Sequence, residues 1–168
     1  MKLACVTAEG QGATDKLLTE TAATLAGEGV KLAGIVKELS YETRFENGCD
    51  MKVKVLPAGP VIQITQNLGE GSAACRLDPA ALEEAVAQVE AGDLDGAQLF
   101  ILNKFGPQEA AGRGFVPVIG KALELGIPVL CGVGRASQEA FEAFAGGLSE
   151  SLQPDPEAVA AWCREAQG

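Results

Sequence analysis

The sequence predicts a three-layer α/β domain with a mainly parallel sheet and a β-hairpin insertion over about residues 38–72. Three observations predict it. Leu3–Thr7, Leu99–Leu102 and Pro128–Val133 are continuous apolar runs, as strands covered on both faces must be. The chain opens strand, glycine loop, helix, strand, which is the unit that winds an α/β sheet. Helix signals then alternate with strands, and no repeat, low-complexity linker or second domain interrupts residues 1–168.

The elements follow in order. Leu3–Thr7 is a central strand, and Ala8–Ala13 a glycine-rich turn. Thr14 to Glu28 is helical, because Leu17, Leu18, Thr21, Ala22 and Leu25 repeat at three and four, and Gly29 suits its stop. Val30–Val36 is the second strand. Met51–Val55 alternates, Pro57–Pro60 turns, and Val61–Thr65 is extended again, which reads as a hairpin ending in the loop Asn67–Ser72. Asp78 and Pro79 open a helix as N-cap and first helical residue, and Gly92 ends it. Leu99–Leu102 is a buried strand running into Asn103 and Lys104. Phe115–Leu125 is a helix closed by Gly126, Ile127–Val133 is a strand, and Ser137 caps a helix to about Ala145. Pro154–Pro156 starts a last helix, which Trp162 docks onto the core.

Composition narrows the chemistry. Of 168 residues 47% are hydrophobic, which excludes a disordered chain. Lys plus Arg is 13 against 23 Asp plus Glu, a net charge of −10 with no basic tract, so a nucleic-acid partner is not expected. No apolar run approaches the roughly 20 residues of a bilayer span, and no membrane insertion is expected. Met1–Val6 is too short for a leader before Glu9 and Gly10, so the expectation is a soluble cytoplasmic protein. The chain has no His, which removes Ser-His-Asp triads and imidazole metal ligands. Five cysteines stand at 5, 49, 75, 131 and 163, with no CxxC, so neither a disulfide scaffold nor a structural zinc is expected. Cys5 and Cys131 lie in apolar runs and read as small core hydrophobes.

In parallel sheets, ligands sit at the carboxyl ends of the strands. Here those ends carry the Gly10–Gly12 loop, Asn103 with Lys104, and Gly134 with Arg135. A glycine loop before a helix can aim amides at an anion, aided by the helix dipole. A phosphate-binding P-loop reads GxxxxGK[ST], and no such string occurs. Matching Leu17-Leu18 to the apolar pair behind a P-loop puts Ala13 at the last glycine, Thr14 at the lysine and Asp15 at the magnesium-binding hydroxyl. The loop length of a P-loop survives without its chemistry. Three readings stay open for Gly10, Gln11, Gly12, Ala13, Thr14 and Asp15. They form a nucleotide site, a small oxyanion site in which Thr14 donates, or a plain tight turn with Asp15 on the helix dipole.

Two stretches carry a resemblance. One is Phe100–Glu109, reading FILNKFGPQE, continued by Gly112-Arg113-Gly114-Phe115. The other is Cys49-Asp50-Met51, with Gln66–Gly69 and Cys75-Arg76-Leu77-Asp78. Together they resemble the bacterial domain of unknown function 2478 family over nearly the whole chain. That resemblance implies a place beside molybdate-transport operons. More distantly the layout is similar to compact P-loop nucleoside triphosphatases, whose matching strand ends IDEIGPME. The resemblance sets Asn103 at the magnesium-side Asp and Lys104 at the catalytic-side Glu. Hydrolysis needs metal, charge stabilisation and an oriented water. With the P-loop lysine, its hydroxyl partner and both carboxylates replaced, little is left for it, and no catalytic residue is assigned. The change of a carboxylate pair to Asn-Lys suits an anion bound without magnesium: molybdate, tungstate or an unhydrolysed nucleotide.

Lys104, Arg113 and Arg135 are the cations expected to converge on that anion, with Glu109 orienting Arg113 or Lys104. Arg44 is a weaker contact of the same kind. Cys49 and Cys75, beside Asp50 and Arg76, are candidate metal ligands, since a neighbouring Arg lowers a thiol pKa and soft thiolates suit molybdenum or copper. The other reading is two partly buried thiols, with Arg76 and Asp78 a structural pair at the helix start. The expected function is a non-hydrolytic oxyanion- or nucleotide-binding protein in molybdenum or tungsten handling, with a small anion, a second copy or a molybdenum-pathway protein as partner. The alternatives are a nucleotide-dependent enzyme rebuilt around Asp15, Glu9 or Glu109, and a regulatory module with a vestigial loop.

Overall fold

A computed structural model describes residues 2–39, 51–67 and 75–167, the side chains of 66, 67, 75 and 76 excepted. Nine strands occur among them: β1 (Leu3–Val6), β2 (Leu32–Lys37), β3 (Lys52–Val55), β4 (Val61–Gln63), β5 (Thr65–Asn67), β6 (Cys75–Leu77), β7 (Leu99–Phe105), β8 (Val129–Val133) and β9 (Ser149–Leu152). The α-helices are α1 (Ala13–Gly27), α2 (Pro79–Ala91), α3 (Pro107–Ala110), α4 (Val116–Glu124), α5 (Gln138–Ala145) and α6 (Pro156–Ala166).

Seven strands form one sheet in the order β4-β3-β2-β7-β8-β1-β9, and β5-β6 form a separate antiparallel pair. From β2 to β9 every pairing is parallel, while β2-β3 and β3-β4 are antiparallel. The apolar runs are the interior strands because both faces are covered. Phe100, Leu102 and Val129 pack with α2, α4 and α5 on one side. Ile101 and Leu130 pack with Leu18 and Leu25 of α1 and Val159 and Cys163 of α6 on the other.

The chain turns where its local chemistry directs. Asp78 Oδ1 accepts from the amides of Ala80 and Ala81, and Asp155 Oδ2 from that of Ala158, so both Asp-Pro starts are real caps. Gly34 has φ +106 and faces β7 so closely that a Cβ would meet Ile101 O at 1.9 Å. No other residue type fits there.

Several expectations are corrected. β7 continues through Asn103 and Lys104, because Phe105 is fully buried and pulls the strand onward. β9 was not expected: Ser-Glu-Ser-Leu has no apolar signature, and it joins as an edge strand by main-chain pairing to β1. The extended stretch after Val61 breaks into β4 and β5, and β5 turns to pair with β6. Ser137 makes no side-chain cap, because a 3-10 turn over Arg135–Ser137 precedes α5. The expectation for Trp162 holds: half-buried, it packs against the core beside the fully buried Val159 and Cys163 of α6, and it also donates Nε1–H to Glu150 at 3.0 Å. Arg44, Cys49, the Cys75 and Arg76 side chains and much of the loop 67–72 lie outside the described residues.

Candidate functional site

β1 and β8 are neighbours, yet the chain leaves β1 for α1 on one face and leaves β8 for α5 on the other. Such a switch opens a crevice at the carboxyl ends of the strands. The crevice measures 160 Å³ and is lined by Gly10, Gly12, Thr14, Asp15, Asn103 and Lys104, with Gly132, Val133 and Gly134 at the end of β8.

Each wall has a local cause. Gly10 and Gly12 have φ +105 and +75, which only glycine adopts freely, and Gly12 caps α1 without a side chain. The amides of Thr14 and Asp15 are thus among the four at a helix start with no intrahelical acceptor. The Ala13 amide is spent on Gly10 O at 3.2 Å, closing the turn. In the oxyanion reading of the loop, Thr14 donates to the anion. Its hydroxyl instead accepts from the Ala8 amide at 2.9 Å and points its proton at Ala8 O, 3.4 Å away, locking the loop ends together. Gln11 is exposed and does not line the crevice.

Asn103, 3% exposed at the end of β7, donates Nδ2–H to Asp15 Oδ1 at 3.3 Å. Burial pushes the half-buried Asp15 carboxyl above its ordinary range, while the Asn103 hydrogen bond and the charges of Lys37 and Lys104 act the other way. The native state therefore holds a proton that the unfolded chain gives up. Stability falls as pH rises from the ordinary carboxylate value through the raised one, and the cost is absent below both. Asp15→Asn keeps an acceptor for Asn103 and removes that cost. Its thermal midpoint is expected to match the parent near pH 4, about the ordinary carboxylate value, and to exceed it at pH 8. A lower midpoint at pH 8 would show that the lysine charges outweigh burial.

Of the predicted cations among the described residues, only Lys104 lines the crevice. It is exposed and makes no ion pair among the described residues. Arg113 is exposed and donates Nε–H to Gln108 at 3.1 Å. Arg135 pairs with Glu9, both exposed, at the rim. Glu109 orients neither Arg113 nor Lys104. It is buried, and its two oxygens accept the amides of Gly106 at 2.9 Å and Phe115 at 3.0 Å, fastening both ends of the 106–115 segment.

Sequence reasoning missed Lys37. The β2–β7 register sets Ile35 opposite Leu102, which brings Lys37 level with Lys104, and Thr19 holds the Lys37 carbonyl at 2.8 Å. It also missed Thr7, which donates to Val133 O and accepts from Gln138 Nε2, each at 2.5 Å, tying β1, β8 and α5 at the crevice. Neither had a local signal, since both depend on which strands are neighbours. Burial raises the thiols of Cys5 and Cys163, the latter to about 12, so these are inert core residues. Among the described residues no group of three or more Cys, Asp or Glu could hold a metal ion, and no helix is long and apolar enough to cross a membrane.

Comparison with known proteins adds three findings. The molybdenum import ATP-binding protein ModC 2 of Bradyrhizobium diazoefficiens is 34% identical over 166 residues, 98% of this chain but 18% of that protein. The chain thus spans under a fifth of that relative's length. THEP1 from the hyperthermophile Aquifex aeolicus superposes with a TM-score of 0.65 at 12% identity, covering 97% of this chain and 95% of THEP1. A human cancer-related nucleoside triphosphatase gives 0.64 at 14%, covering 98% and 95%. The chain therefore shares the α/β fold of these two proteins. A family model described as a protein of unknown function, DUF2478, matches residues 3–162, and the chain belongs to that family.

Proposed function

We propose that the protein binds an anion at the β1–β8 crevice, either a tetrahedral oxyanion or the phosphate of a nucleotide, without hydrolysing it, and that it acts in molybdenum handling. The observation that carries this reading is the composition of the crevice. Among the described residues Lys104 has no ion-pair partner and stands beside open amides of a helix start, and the resemblance sets Asn103 and Asp15 where a hydrolytic site needs a carboxylate and a hydroxyl. The likeness to ModC 2 supports the molybdenum part. The likeness to a molybdenum import protein also supports a second reading, a module working on a molybdenum-pathway partner protein.

The test is titration calorimetry with molybdate, and with ATP with and without magnesium, on the parent and on Lys104→Ala. A charge-assisted contact is worth about 1.5–3 kcal/mol, so affinity is expected to fall roughly tenfold or more. Arg113→Ala is expected to leave affinity unchanged, since that side chain lies off the crevice. Magnesium-dependent release of phosphate from ATP would replace this reading with the enzymatic one.

A further inference from the structure

A second hollow adjoins the crevice across the end of β7, where Asn103 and Lys104 line both. It measures 270 Å³, and its walls are mainly apolar. Ile35, Ile64, Leu82 and Leu102 are buried in them, and Met51 and Leu77 are half-buried. No residue of the glycine loop lines it: Gly10, Gly12, Thr14 and Asp15 border the crevice alone.

Charge decides what such a hollow takes. Its charged lining side chains are Lys104 and Glu109. Both Glu109 oxygens are taken by the amides of Gly106 and Phe115, and the Thr65 hydroxyl accepts from the Met51 amide at 2.9 Å. Lys104 has no ion-pair partner among the described residues. Its stem lies on the hollow side. A Cβ on Gly106, which lines the hollow and not the crevice, would meet Lys104 Cε at 3.7 Å and Cγ at 3.8 Å. One exposed cation, with no second cation in the lining, matches a single negative charge. Size limits the body that carries it. An apolar cavity of about 150 Å³ takes up benzene, and sites for drug-sized ligands begin at roughly 300 Å³. A hollow of 270 Å³ therefore fits one ring with a short arm.

We infer that this hollow binds a small apolar monocarboxylic acid, its ring or branched chain among the apolar walls and its carboxylate on Lys104. Burial of the body supplies affinity without direction. The charge-assisted contact to Lys104 fixes which end faces out. A neutral analogue forfeits the second contribution, and an acid with no apolar body forfeits the first. The inference does not depend on the anion reading of the crevice, since the acid lies wholly in the hollow.

The experiment is calorimetric titration with phenylpropionate, with its neutral amide phenylpropanamide, and with acetate. It uses the parent, Lys104→Met, Met51→Trp and Leu77→Trp, and circular dichroism checks that each variant folds. The parent is expected to bind phenylpropionate roughly tenfold or more tighter than either comparison compound, the worth of one charge-assisted contact or of one buried ring. Lys104→Met keeps an apolar stem and is expected to bind acid and amide alike. Either tryptophan enlarges a half-buried side chain of the lining and is expected to abolish binding of both. Phenylpropionate that does not bind the parent, or binds no tighter than its amide, overturns the inference. A preference for the acid that survives Lys104→Met overturns it too, as does binding that survives both tryptophans and so places the acid elsewhere. Should a tryptophan variant fail to fold, the comparison of acid with amide on the parent and on Lys104→Met still decides.

Discussion

Glu109→Ala is expected to cost about 3–6 kcal/mol of folding stability, because a hydrogen bond to a charged group contributes roughly 1.5–3 kcal/mol and this carboxylate makes two. Both amides it accepts, those of Gly106 and Phe115, are buried, and the truncated side chain leaves them without partners. The pair fastens α3 and the turn before α4, and Phe115, fully buried against Phe100, is anchored through it. Such a loss is a large part of the 5–15 kcal/mol, roughly, that holds a typical domain folded. Urea denaturation is the measurement. Glu109→Gln, which keeps one acceptor, should fall between parent and alanine. A change within 1 kcal/mol, about the spread of an ordinary surface substitution, would mean that the two bonds do not hold this segment. The neighbouring Gly114 shows how closely the carboxylate is enclosed: its φ is +60, and a Cβ there would meet Glu109 Oε2 at 1.8 Å.

Gly132→Ala is the second large effect, and it strikes the fold and the crevice at once. The added methyl would lie 2.2 Å from Asn103 O, 2.8 Å from Leu18 Cδ1 and 3.0 Å from Thr14 Cγ2. The first of these is backbone of the adjacent strand and cannot swing aside. β7, β8 and α1 must separate, which costs at least the roughly 1–3 kcal/mol of an overpacked core. Asn103 and Thr14 both line the crevice, so anion affinity is expected to be lost with it. Gly134→Ala is the control. It alters another crevice glycine, but its φ is −77 and nothing lies within 4 Å of the new Cβ. Stability within about 0.5 kcal/mol of the parent is expected there. If both alanines behave alike, close strand packing does not shape this site.

These two residues also show how far local signals reach. The interior strands and the capped helices were legible, because continuous apolar runs and Asp-Pro starts are encoded within a few residues of each other. β9 was not, because an edge strand needs no apolar residues and is recruited by the main chain of β1. The Gly10–Asp15 loop and the Asn103-Lys104 stretch were legible as strand-end neighbours, and both border one crevice, since glycine torsions and charge are local properties. Glu109 read as a carboxylate orienting Arg113 or Lys104, because its actual partners are main-chain amides that the sequence does not display.

The sequence by itself determined the α/β class, the family and the stretches that meet at the strand ends, since hydrophobic period, caps and motif strings are all short-range. Only the tertiary structure decided which charges share that crevice. Lys104 and Lys37 both act on Asp15, while Arg113 is drawn to Gln108 and Arg135 to Glu9. The physical reason is strand order: β1, β2, β7 and β8 are far apart along the chain, and the placing of their ends against one another comes only from packing the sheet.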